Sequence, residues 1–131
     1  MRENMDIAYR IFAEKPIGSA ETRLTEELKK VGFGIMTRVS VKEKLAEKGI
    51  DFGYEIVLLG VCKPDTAKKA LETNDAIALM LPCSIVLYER GDRTEIALAE
   101  PTAISSFFEG EGLRELAATV ESALKKAIDA V

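Results

Sequence analysis

The residues of this sequence best suited to chemistry are its two cysteines, Cys62 and Cys83. Each stands where the chain must change course. Cys62 is followed by Lys63-Pro64-Asp65, a strand-to-helix junction, and Cys83 is preceded by Leu81-Pro82. A thiol at a helix N-terminus faces the positive end of the helix dipole, and Lys63 adds a cation, so both favour the thiolate. Burial opposes them: Cys62 shares a strand face with Ile56 and Leu58, and apolar surroundings raise a thiol pKa. The sequence leaves that balance open. Pro82 cannot donate to a sheet ladder, so the strand around it must break, and such a break can turn Cys83 toward a pocket. The plainer reading treats both cysteines as small hydrophobes in the core, since free cysteine is among the most buried residue types. The candidate ligand-binding set is therefore Cys62, Lys63, Pro64, Pro82 and Cys83, with Cys62 and Cys83 the candidate catalytic thiols.

Other chemistries are excluded by what the chain lacks. It contains no histidine, which removes Cys-His and Ser-His nucleophile pairs and the commonest general base. A tetrahedral zinc site wants about four nitrogen or sulfur ligands, so one subunit cannot complete it, and the cysteines are too far apart for a compact Cys-x-x-Cys clamp. No metal and no cofactor is expected. Glu55, Glu89, Glu95 and Glu100 read as solvated or edge-protecting carboxylates at strand ends. Gly32-Phe33-Gly34 opens a strand instead of a helix and reads as a tight turn, not a phosphate loop.

The 131 residues carry 22 acidic and 18 basic side chains, a formal net charge of −4. A nucleic-acid partner, which needs a basic face, is not expected. No apolar run approaches the about 18 residues that cross a bilayer, and Met1-Arg2-Glu3-Asn4 leads into a strand-like segment instead of a signal h-region. The expected location is the cytoplasm, where both thiols stay reduced, with no membrane partner.

The elements that would position the cysteines follow from periodicity. Residues 7–12 alternate as a first strand ending at Pro16 and Gly18. Ser19 is read as the N-cap of a helix carrying Leu24, Leu28 and Val31 and stopping at Gly32. Residues 33–41 alternate again, and Ser40 caps a short helix over 41–48. The stretch 54–62 is nearly continuously apolar and reads as a central strand buried on both faces. Pro64 and Asp65 suit the first turn of a helix that runs through Leu71 and closes at Asn74-Asp75. Residues 76–89 read as a strand interrupted at Pro82, followed by a turn at Arg90-Gly91-Asp92-Arg93 and a return strand over 95–100 that Pro101 ends. Leu113, Leu116, Ala117, Val120, Leu124, Ala127 and Ile128 mark an amphipathic helix that must cover a sheet or a partner. With no linker or repeat, residues 1–131 form a single α+β domain, an antiparallel or mixed sheet with helices on one face.

Gly32-Phe33-Gly34, Leu59-Gly60-Val61-Cys62-Lys63-Pro64 with Ala67 and Leu71, Leu81-Pro82-Cys83, and Glu100-Pro101 together resemble the bacterial and archaeal family catalogued as domain of unknown function 302. The resemblance runs from Tyr9 to about Pro101. It implies a strand, helix, four strands, helix order similar to the TATA-box-binding protein fold, often in a homodimer, and no established activity. The family usually carries Asn between the Cys and the Pro, whereas this chain has Lys63, a poor helix cap.

Three functions fit these residues. The first is a ligand-binding or thiol-sensing domain whose small molecule lies near Cys62 and Cys83. The second is an enzyme that uses Cys62 as its thiol. The third is a homo-oligomeric structural subunit, most simply a homodimer, with packing cysteines.

Overall fold

The computed structural model describes residues 7–131, and the N-terminal stretch read above for a signal sequence, Met1-Arg2-Glu3-Asn4, lies outside them. Five strands form one sheet in the order β1-β5-β4-β3-β2. They are β1 (Ala8–Ala13), β2 (Gly34–Ser40), β3 (Ile56–Cys62), β4 (Cys83–Arg90) and β5 (Arg93–Ala99). Every neighbouring pair is antiparallel, so the mixed-sheet alternative falls away. Helix α1 (Ile17–Lys30) carries the chain from β1 at one edge to β2 at the other, and α5 (Leu113–Asp129) closes the chain. This gives the strand, helix, four strands, helix order, elaborated by α2 (Val41–Glu47), α3 (Pro64–Thr73), a 3-10 helix (Asp75–Met80) and α4 (Pro101–Ser105).

The core follows from strand alternation. Val57, Leu59 and Val61 of β3, Ile85 and Leu87 of β4, and Ile96 and Leu98 of β5 lie on one face of the sheet. They pack against Leu24 and Leu28 of α1 and Leu124 and Ile128 of α5. The other face is more open: Phe12 is 47% and Leu58 41% exposed. The expectation that β3 is buried on both faces is thus corrected, because α1 and α5 cover only one side of the sheet.

Local chemistry accounts for the element ends. Ser40 Oγ accepts the Glu43 N–H at 3.1 Å and caps α2 as its sequence position indicates. α1 begins earlier than expected: Pro16 is its N-cap, and its carbonyl already accepts the Ala20 N–H at 2.9 Å, which places Ser19 inside the first turn. Residues 75–80 are not the first half of a strand. Asn74 Oδ1 accepts the Ala76 N–H at 3.0 Å and starts a helical turn instead, so β4 begins only at Cys83, after a cis Leu81-Pro82 peptide. Arg90 pairs with Arg93 across Gly91-Asp92, and Gly91 adopts φ 67°, as a two-residue hairpin turn requires. Pro101 does end β5, and it also opens α4, which sequence periodicity did not show.

The strand-end carboxylates are bound more tightly than expected. Glu95 is buried between Arg10 (3.2 Å) and Arg90 (2.9 Å). Glu55 accepts from Ser40 Oγ at 2.6 Å, Glu89 accepts the Glu55 N–H at 2.9 Å, and Glu100 pairs with Lys125 at 3.0 Å. These are structural contacts, which replace the picture of solvated side chains. No helix among the described residues is long and apolar enough to cross a membrane.

Candidate functional site

β3 and β4 run past the end of the α1–α5 layer, and there α3, the 3-10 helix, α4 and the first half of α5 gather around a cavity of about 440 Å3. Cys83 lies opposite Val61, on the side that faces the helices, whereas Cys62 lies opposite Gly34, one strand position on and therefore on the other side. Both line the cavity, because it wraps the end of the sheet and takes its walls from both faces. Lys63 and Pro82 line it as well. Pro64 is not a lining residue: it occupies the first turn of α3 and sets the direction in which that helix leaves the strand. The structure therefore brings together four of the five residues singled out from sequence.

Close packing at the rim depends on Gly60. A Cβ at this position would collide with Thr37 Oγ1 and with the ring of Pro82, so the lack of a side chain lets β2 and the Leu81-Pro82 turn close over β3. Gly32, with φ 86°, ends α1 beneath the Lys63 side chain, whose Cε would stand 3.1 Å from a Cβ there. Only glycine combines that backbone conformation with room for the lysine stem.

The electrostatic balance at the cysteines falls on the side of burial. Desolvation raises the Cys62 pKa above the ordinary thiol value. Cys83 is pushed up to about 11, chiefly by burial and further by repulsion from Cys62. With both pKa values raised by burial, both thiols are neutral near pH 7, and both are free. Lys63 is the N-cap of α3 but makes no side-chain capping bond, as expected of a lysine there.

A protein-family model described as Domain of unknown function DUF302 matches residues 9–131. The chain belongs to this family. The crystal structure of an uncharacterized conserved DUF302 protein from Bacillus stearothermophilus is similar, with a TM-score of 0.88 and 35% sequence identity, covering 94% of this chain and 96% of that one. No curated protein matches. The match extends past Pro101, so α4 and α5 belong to the DUF302 domain as much as the cysteine-bearing strands do.

Sequence reasoning missed most of the wall of this DUF302 cavity. Ala70 of α3, Ile77 and Met80 of the 3-10 helix, and Ile104 of α4 line it without any motif that marks them, and Ala67 of α3, part of the family pattern, lines it too. One signal was visible: Leu113, Leu116, Ala117 and Val120 form an apolar stripe on α5. The later turns of that helix, with Leu124, Ala127 and Ile128, fill the core, and the earlier ones face the cavity.

Proposed function

We propose that this DUF302 protein binds a small, largely apolar molecule in the cavity at the end of its sheet, with the cysteines as wall groups. The observation that carries this reading is the cavity itself: about 440 Å3, within the usual range for ligand sites, and lined mainly by aliphatic side chains. At ~30 Å3 per non-hydrogen atom the space suits a ligand of roughly 15 such atoms. The elevated thiol pKa values support a binding role over thiol catalysis by Cys62, since the thiolate is the nucleophile and burial disfavours it at both positions. A reducing, cytoplasmic setting is part of the same reading.

The test is displacement of an environment-sensitive apolar fluorophore by decanol. The native protein binds the fluorophore and releases it to decanol, whereas Ala117→Phe, which places a ring in the cavity, binds neither while keeping its far-UV circular dichroism. Failure of the native protein to take up either compound overturns the proposal.

A homodimer is compatible with this reading and has its own supporting observation. The sheet face away from α1 and α5 leaves Phe12 and Leu58 exposed, and a second copy of the chain is the partner this reading assigns to it. Light scattering tests this directly: a monomer at all concentrations removes the reading, and a dimer that survives Leu58→Lys places the interface elsewhere.

A further inference from the structure

Among the described residues, Lys63 is the only charged one in the wall of the cavity, and no acidic side chain contributes to that wall. It is half-buried, and its ammonium has no hydrogen-bond or ion-pair partner among the described residues. The nearest acidic residue along the chain, Asp65, is engaged elsewhere: its Oδ1 accepts the Thr66 N–H at 2.8 Å, capping its own helix. The lysine side chain lies over Gly32, with Cε 3.1 Å and Nζ 3.7 Å from where a Cβ there would stand, and the same residue lines the cavity. Burying part of an ammonium without a counter-charge is unfavourable, and an anion arriving with the ligand relieves it. The rest of the wall offers no competing charge, because both thiols are neutral.

Resting on the binding role argued above, we propose that the ligand is an amphipathic carboxylic acid, its carboxylate on the Lys63 ammonium and its aliphatic part in the cavity. The first turn of α3, which begins at the residue after Lys63 and receives no side-chain bond from that N-cap residue, adds the positive end of a ten-residue helix to the same spot. The neutral thiols of Cys62 and Cys83 line the path of the chain without reacting with it. A cationic amphiphile of equal length meets the ammonium with like charge and is rejected.

Decanoate, decanol and decyltrimethylammonium, compared by calorimetric titration at one ionic strength, test the assignment. The native protein binds decanoate at least about tenfold more tightly than decanol, a difference of about 1.4 kcal/mol, and binds the ammonium compound least. Lys63→Met removes the preference for decanoate and leaves decanol affinity within about twofold, and Lys63→Arg restores the preference. If decanol and decanoate bind equally to the native protein, or if Lys63→Met weakens both alike, the carboxylate assignment is overturned while the apolar cavity stands as a site. If none of the three binds, the binding role itself fails with it.

Discussion

Gly60 is the position where β3 passes beneath both Thr37 and Pro82, and a methyl group there would collide with each of them. Pro82 cannot swing aside as a flexible chain would, so Gly60→Ala must displace backbone at the rim of the cavity. The expected cost is ~1–3 kcal/mol, the range for overpacking a filled site, read as a lowered urea midpoint at unchanged slope. The cysteines carry a second prediction at this scale. With its pKa at about 11, Cys83 is thiolate on the order of one part in a thousand at pH 8. Alkylation of the native protein by iodoacetamide is therefore slower than that of the unfolded chain at both positions, slower at Cys83 than at Cys62, and rises only in the alkaline range. Rapid labelling of Cys62 at neutral pH would return the thiol enzyme to consideration. The position of both cysteines at structural junctions was legible from Pro64 and Pro82. The sign of their pKa shifts was not, because dipole and burial oppose each other at Cys62 and the burial comes from segments distant in sequence.

Among the elements, α4 depends most on a single side chain. Glu121 on α5 accepts the Thr102 N–H at 3.0 Å and the Thr102 hydroxyl at 2.6 Å, and pairs with Lys125 at 3.0 Å. Burial works to raise the Glu121 pKa, but the bonds from Thr102 and Lys125 outweigh it, and the net shift is below the ordinary value of 4.5. A carboxylate whose folded pKa is depressed contributes stability that is present above its unfolded pKa and lost as pH falls through the folded one. Glu121→Gln should thus cost ~1 kcal/mol at pH 7, and the gap between variant and native protein should shrink below about pH 4 in paired urea titrations. A gap that does not change with pH would mean that the carboxylate's charge plays no part in holding α4. This clamp was invisible in the sequence, since α4 has only five residues and is too short to show a period. The strands and the hairpin were legible because alternation and Gly91-Asp92 are local signals. The apolar run before Pro82 fits a strand or a helical turn equally well, and Asn74 decided it through a side-chain cap.

At the scale of the whole molecule, the cavity is a property of convergence: β2, β3, β4, α3, the 3-10 helix, α4 and α5 all contribute walls. No residue pattern encodes an unfilled space, which is why sequence reading reached the cysteines and Lys63 but not the volume between them. The amphipathic stripe of α5 was legible as apolar, yet nothing local distinguishes the turns that complete the core from those that face the cavity. A ligand bound in that space contacts several otherwise separate elements at once, so its binding energy adds to the stability of the entire fold. By mass action, a ligand present at about 100 times its dissociation constant stabilises the folded state by ~2.7 kcal/mol if it has no affinity for the unfolded chain. For a domain of this size that corresponds to a rise in melting temperature on the order of 10 °C. Decanoate should produce this shift in a thermal melt of the native protein and slow amide hydrogen exchange in the 3-10 helix and α4, the shortest elements around the cavity. Ala117→Phe should remove both effects. A melting shift of equal size in Ala117→Phe would instead place the decanoate on the outer surface, since a ring occupying the cavity leaves no other route by which the ligand could tie these walls together.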